Sequence, residues 1–387
     1  MRILFITNIP PLPSWGSAMT FHRHFCERKD FTISVITGFA KIKEYNVSYP
    51  YLFIDRGWLW TRISKTRFYQ WAHTWSLLVG CLFIPTNVLK HAKQFKPDAI
   101  FTVAGSWSWM SILARKVAKK LNVPLIGSFN DWWFYNILYH PAAAGLIEKK
   151  FLRFYKDCDL ALCTSEGMRE ALGEHRNAII LYPTGAPIKE AETAISTTRG
   201  SESAFTVAFA GNLGDWYGKM LESLVRASVN SEIRFKFFGS HSSWSEEFDQ
   251  YVKKEQIFKG HISFDQLTDE MKRVDALLLF MGFDESVAIV EKTSFKTKFL
   301  DYLSFRKPIV LWGPSYCSAV AIAKEFGSAE ICTSAKPEDF LESIRKIKDD
   351  ERNREVLVAN AYTMYQRRFN PDKIHETLKG AIMKLKK

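Results

Sequence analysis

No stretch of this 387-residue chain is apolar for long enough to cross a membrane. The longest such run, LLVGCLFI at 77–84, is far short of the roughly 20 residues a spanning helix needs. The six cysteines (Cys26, Cys81, Cys158, Cys163, Cys317, Cys332) form no CxxC pair and no cluster with histidine. That pattern excludes a zinc ribbon or a redox dithiol and predicts free thiols in a reducing compartment, with no metal site. The opening MRILFITNIPPLP lacks the charged head and cleavage site of a signal peptide, so a cytoplasmic location is expected. GxGxxG followed by an acid about 20 residues later is missing, which disfavours a dinucleotide oxidoreductase. Helix-turn-helix, zinc-knuckle and RNP-like patterns are missing too, so the net charge of +12 is not read as nucleic-acid binding.

What is present describes an ordered protein of two domains. Hydrophobic residues make up 47% of a chain that is long for one core. The charge is uneven: residues 1–190 hold 24 Lys/Arg against 13 Asp/Glu, and the remainder holds 29 against 28. The first half is therefore suited to meet something anionic. Strand-like runs at 2–7, 31–37, 51–54, 98–103, 124–129, 160–164 and 178–182 alternate with helical patterns. The arrangement repeats at 205–211, 233–239, 275–280, 308–312 and 329–333. Such alternation predicts an α/β fold with parallel sheets covered on both faces. Between the two sets, KEAETAISTTRGSESA (189–204) is polar and reads as a linker. The expected division is a domain over 1–188, the linker, a second domain over 205–365, and a terminal helix within 366–387. Ligand would sit in a cleft between the carboxyl ends of two doubly wound, Rossmann-like sheets.

Each half has a glycine-bearing turn after its first strand. The first is NIPPLPSWGSAMTFHRHF (8–25), with Gly16 and Ser17 before a helix. The second is GNLGDWYGKMLESL (211–224), where Gly211 and Asn212 open the turn and Lys219 lies in the following helix. Glycine lets backbone approach a ligand, and a helix N-terminus offers free N–H groups to phosphate. Ordinary tight turns are the commoner explanation of such glycines. Further on, SFKTKFLDYLSFRKPIV (294–310) places Lys298 and Asp301 three apart, on one helical face, before a buried-strand pattern.

SFKTKFLDYLSFRKPIV resembles the donor-binding motif of glycosyltransferase family 4, enzymes of the GT-B fold, in which Ser-x-x-x-Lys-x-x-Glu-Tyr-Leu is followed by Gly-Lys-Pro-Val. FAGNLGDWYGKMLESLVRA (209–227) is similar to the first turn of that family's C-terminal domain, notably in the branch resembling N-acetylfucosamine transferases. MRILFITNIPPLPSWGS resembles its N-terminal strand and glycine loop, and FKPDAIFTVAG and LNVPLIGSFNDWW fit its middle strands. The resemblance implies two Rossmann-like domains facing a cleft, with a C-terminal helix crossing back onto the first. It also implies a retaining, metal-independent enzyme without cofactor. Such an enzyme moves a sugar from a nucleotide diphosphate sugar to a lipid-linked or saccharide acceptor in polysaccharide or glycoconjugate synthesis.

Carried over by residue, Lys298 and Lys219 would bind the diphosphate and Asp301 the ribose hydroxyls, as a compact cation and a two-lone-pair acceptor suit. Gly16, Ser17, Gly211, Asn212 and Ser294 would complete the donor contacts, with the helix of Lys298 starting near Ser294. Several positions depart from the family pattern. Asn212 stands where many relatives carry arginine, Thr293 where they carry the first of two glutamates, and Arg306 where they carry glycine. Glu285 and Glu291 are the remaining candidates for the donor sugar. The rival reading is a catalytically silent nucleotide-sugar binder.

Other signals stay open. DCD (157–159) matches an Asp-x-Asp metal motif, or supplies turn acids before a strand. Asp131, ending a middle strand, either orients an acceptor hydroxyl or caps a turn, and Trp132, Trp133, Phe134 and Tyr135 line an acceptor groove or fill the core. Residues 58–84 space Phe68, Trp71, Trp75, Leu78 and Leu82 as one helical stripe beside Arg62, Lys65 and Arg67. The stripe is either core or an anionic-membrane contact, which would make the chain peripheral on the inner face.

Overall fold

The structure is a computed structural model. It describes residues 1–385 apart from 15, 56–61, 64, 81, 136, 186–187, 189–203, 230 and 241. The expected linker, 189–204, thus lies outside the described residues except for Ala204. The chain divides into two compact units. The first comprises 1–183, 293–295 and 372–387; the second comprises 184–292 and 296–371.

The first unit is built on seven parallel strands: β1 (Arg2–Ile6), β2 (Thr32–Thr37), β3 (Tyr51–Phe53), β4 (Ala99–Val103), β5 (Leu125–Phe129), β6 (Leu160–Cys163) and β7 (Ala178–Ile180). Their order is β3-β2-β1-β4-β5-β6-β7. Consecutive apolar residues in β1, Ile3 to Ile6, are all buried, which a strand achieves only when helices cover both sheet faces. Phe5 stacks on Phe101 of β4 at 4.5 Å, and Phe25 packs edge-on against both.

The second unit has five parallel strands: β8 (Phe205–Asn212), β9 (Ile233–Ser240), β10 (Ala276–Phe280), β11 (Ile309–Trp312) and β12 (Glu330–Cys332), in the order β12-β11-β10-β8-β9. After β8 the chain adds β9 on one side and then returns to place β10 on the other. The crossovers thus diverge at the carboxyl end of β8, where open α/β sheets bind ligands. Its core centres on Trp312, stacked on Phe340 at 4.8 Å and edge-on to Phe280.

The helix Pro371–Met383 packs on the first unit through Ile374, His375, Leu378 and Ile382, all buried. Arg28 donates to Asp372 at 2.5 Å, and Asp30 accepts from Lys379 at 2.6 Å. His375 Nε2 lies 2.9 Å from Asp30, and its Nδ1 lies 3.2 Å from Nδ1 of buried His24. Burial, reinforced by His375 and the nearby arginines, pulls the His24 imidazole down to about 3.

Candidate functional site

The carboxyl end of β8 in the second unit opens into a cavity of about 410 Å³. Gly211 and Asn212 supply one wall, Gly239 and Ser240 of β9 the next, and Lys298 and Asp301 face them from the helix Thr297–Leu303. Phe238, Ile262, Leu267 and Phe305 make the remainder apolar. The helix is tied to the strand by Tyr302, whose hydroxyl accepts from the Ala210 amide at 2.9 Å.

Two glycines here are demanded by close approach. Gly211 has φ +150°, and a Cβ on it would lie 1.6 Å from Lys298 Nζ. Gly239, at φ +155°, would place a Cβ 1.9 Å from the Gly211 carbonyl oxygen. No side chain fits at either position without moving its neighbour.

Lys298 is partly buried, its ammonium 4.8 Å from the centre of the Phe209 ring and 5.4 Å from that of Tyr217. Burial, reinforced by Lys296 and opposed by Asp301, lowers its ordinary value to about 7. A ligand anion entering the cavity would restore the full charge. Lys296, two residues earlier, has the opposite fate. Its Nζ lies 2.7 Å from Glu291 Oε2 and 3.1 Å from the Tyr217 hydroxyl. Burial by itself would lower Lys296, but the Tyr217 oxygen and the Glu291 carboxylate outweigh it and hold the amine charged.

Sequence reasoning overlooked this second lysine as a functional neighbour. Its signal was available: the KTK spacing, an upstream acid, and the Trp216–Tyr217 pair that both lysines approach.

The structure gathers some predicted residues and disperses others. Gly211, Asn212, Lys298 and Asp301 line one cavity. Asn212 Oδ1 accepts from the Gly214 amide at 3.0 Å, closing the turn that leads into the helix Asp215–Ala227. Lys219 is exposed on that helix and does not line the cavity. Glu291 is fully buried, with Oε1 accepting from the Gly282 amide at 2.9 Å and Oε2 held by Lys296. Glu285 is exposed at the start of a short 3-10 turn after β10.

The helix carrying Lys298 begins at Thr297 rather than near Ser294, because 294–296 form a non-helical joint after the helix Ala288–Thr293. Thr293 is buried, its carbonyl accepting from Ser165. Ser294 groups with the first unit, where it donates to Asp131 at 2.9 Å. Arg306 has φ +52° and stands 4.0 Å over the Tyr362 ring. That left-handed backbone explains why glycine suits the position.

In the first unit, Gly16 has φ +43° and opens the helix Gly16–Phe25. The Ser17 hydroxyl accepts from Asn130 at 2.8 Å, and Asn130 in turn accepts from Ser128 of β5 at 2.7 Å. A second cavity, about 460 Å³, lies by the carboxyl ends of β1, β2 and β4, lined by Asn8, Gly38, Asp55, His73, Trp109 and Leu138 among others. Trp132 and Trp133 are buried core residues, while Phe134 and Tyr135 are half-buried. Asp157 pairs with Arg115, and Asp159 pairs with Arg176 at 2.6 Å and accepts from the Leu125 amide, so the DCD acids brace the entrance to β6.

Residues 22–187 match the sequence profile of Glycosyltransferase Family 4. Among curated proteins no sequence matches. Solved structures of similar fold cover the chain from end to end. HepE of Anabaena in complex with UDP has 13% identity and a TM-score of 0.67, with 99% of this chain and 100% of that one covered. Sucrose-phosphate synthase from Thermosynechococcus elongatus has 11% identity and a TM-score of 0.68, with 99% and 98% covered. The "Trehalose-6-phosphate" protein from E. coli, bound with UDP-2-fluoro glucose, has 13% identity and a TM-score of 0.62, with 100% and 99% covered. The two parallel-sheet α/β units are thus those of the GT-B fold.

Proposed function

We propose that this chain, a glycosyltransferase by the family match of its first unit, transfers a sugar from a nucleotide diphosphate sugar seated at the end of β8. One observation carries the reading. Lys298 and Asp301 face a single cavity across Gly211, which brings together a cation for phosphate, a carboxylate for vicinal hydroxyls and apolar walls for a base. As the bond to the departing diphosphate lengthens, negative charge grows on its oxygens. A fixed ammonium at the end of the strand stabilises that charge more than it stabilises the bound donor, which is the condition for acceleration. Lys298 sheds little water in doing so, because the Phe209 and Tyr217 rings already cover one side.

The remaining assignments belong to the same proposal. Transfer retains anomeric configuration and survives a chelator, with the Lys298 ammonium supplying the charge compensation at the cavity. The acceptor is a lipid-linked or saccharide molecule held by the first unit, where the Asp131 carboxylate and the cavity with His73 and Trp109 offer polar and stacking contacts. With Glu291 committed to Lys296, Glu285 is the carboxylate left to meet the donor sugar. The relatives solved with UDP and UDP-2-fluoro glucose make uridine donors the first to test.

The test is a panel of UDP-, GDP- and dTDP-sugars scored by melting temperature, followed by turnover with the stabilising donor. A native-state ligand raises the melting temperature. Failure of every nucleotide sugar to do so would sink the reading. Stabilisation without turnover over a range of acceptors would instead favour a silent binder, for which the loss of a glutamate at Thr293 is the supporting feature.

A further inference from the structure

The helix Tyr69–Val79 in the first unit leaves its largest apolar side chains in water. Surface helices bury their apolar stripe and expose their polar one. Here Thr74, Ser76 and Leu77 are the buried residues, while Trp71 and Trp75 are 52% and 63% exposed. Phe68, three residues before Trp71, is 55% exposed. Just beyond the helix, Leu82 and Phe83 are 69% and 83% exposed.

The outward face is held in place. Thr74 Oγ1 accepts from the His140 amide at 2.7 Å, and the Trp71 ring stacks on the His140 ring at 4.1 Å. The helix ends at Gly80, φ +67°, pressed on Ile112 so closely that a Cβ would meet it at 2.9 Å. Lys116 then donates to the Leu82 carbonyl at 3.0 Å. Large apolar side chains turned to solvent from a well-anchored backbone mark a contact surface.

The charge along this stretch of the chain is of one sign. Between Asp55 and Asp98 there is no acidic residue, and the interval carries seven Lys/Arg. Arg62, Lys65 and Arg67 are exposed at one end of the aromatic face, with the Arg67 guanidinium 5.0 Å over the Phe68 ring. Lys116 and Lys150 stand at the other end, near enough with Arg115 for the amine of Lys150 to be lowered, first by burial and then by those two cations. Tryptophan beside lysine and arginine is the composition of an interfacial anchor, in which rings enter the headgroup boundary and cations meet phosphate.

We propose that this face seats the protein on an anionic phospholipid surface. Trp71, Trp75, Leu82 and Phe83 enter the boundary, and Arg62, Lys65 and Arg67 meet the headgroups. Attachment is peripheral: no helix among the described residues is long and apolar enough to cross a membrane. The seating does not depend on the donor assignment. One corollary does rest on the proposed function. From its inner side the same helix gives His73, Ser76 and Leu77 to the 460 Å³ cavity, with Leu138 reaching both cavity and solvent. Of the two acceptor classes, this favours the lipid-linked one.

The experiment is co-sedimentation of the full chain with vesicles of phosphatidylcholine alone, or with about a third phosphatidylglycerol, at low and high salt. Binding is expected to the anionic vesicles at low salt, falling several-fold when salt shortens the screening length. Trp75→Glu with Phe83→Glu is expected to lower the bound fraction at least about tenfold. Its melting temperature and its stabilisation by nucleotide sugar should be unchanged, because both side chains already face water. No binding to either vesicle, or equal binding by the variant, overturns the proposal. So does a vesicle-free dimer that the same substitutions dissociate, since a second copy then covers the face.

Discussion

Two regions of the molecule bury a basic group and lower its proton affinity, with opposite consequences. At the end of β8, Lys298 is brought down to about 7, and its ammonium adjoins an open cavity with Asp301 nearby. Between the helices Gly16–Phe25 and Pro371–Met383, His24 is brought down to about 3 in a closed joint with His375, and its Nε2 meets no partner among the described residues. Desolvation leads in both cases. The first site has room for an anion to reverse the shift; the second can only stay neutral. A lowered basic group thus marks a binding site where a ligand can replace the lost water, and a pH liability where none can.

Breaking the first region should have the largest effect. Gly211→Ala puts a Cβ where Lys298 now lies, so the lysine must leave the cavity, and the φ of +150° is strained as well. A fall in kcat/KM of about 100-fold or more is expected, on the order of 3 kcal/mol. A melting temperature close to that of the parent would separate this from unfolding. Lys298→Ala removes the charge-assisted contact alone, on the order of 1.5–3 kcal/mol, and should lower transfer by roughly 10- to 100-fold. Parental turnover in a folded Lys298→Ala protein would refute the phosphate role.

The pH dependence sharpens the same region. Donor diphosphate needs the charged ammonium, and the free protein loses it as pH rises through about 7. Donor affinity should therefore be flat below 7 and fall by up to about tenfold per pH unit above it, with one proton taken up on binding. Titration calorimetry in buffers of different ionisation enthalpy reads that proton directly. A pH-independent affinity from 6 to about 9 would mean that the lysine is charged before the donor arrives.

Asp301→Asn tests the carboxylate beside it. The loss should be larger for a ribonucleotide diphosphate than for its 2′-deoxy analogue, because the analogue has already lost one of the two hydroxyls. Equal losses would make Asp301 a structural acid.

The second region predicts a stability effect rather than a binding one. The folded His24 refuses a proton that the unfolded chain accepts near its ordinary value of 6.5. Stability is then constant above about 6.5 and falls as pH drops, by up to about 1.4 kcal/mol per unit, until about 3. His24→Gln should flatten this slope between pH 6.5 and 5 in denaturant titrations, whatever it does to stability at neutral pH. An unchanged slope would assign the acid sensitivity to other groups.

Much of this architecture was legible in the chain. The twelve strands among the described residues fall within a residue or two of the apolar runs that announced them, because central parallel strands are buried on both faces and read as continuous hydrophobic runs. The edge strand β9 keeps alternate apolar residues. The Lys298–Asp301 spacing places both groups on one helical face, and three-residue spacing suffices for that. The stripe around Trp71 and Trp75 was equally legible, but its direction was not: an apolar stripe announces that something covers it without saying whether core does.

Local patterning, then, determined two parallel α/β sheets, their strands, and the helix that carries Lys298 and Asp301. Tertiary structure alone decided that Lys296 is locked to Glu291 while Lys298, two residues on, faces an open cavity. It also bonded Ser294 to Asp131, left Lys219 exposed, and turned Trp75 outward with Thr74 inward. The reason is one of range. Hydrophobic period and glycine turns act over a few residues, whereas the fate of a charge depends on groups brought together from distant parts of the chain.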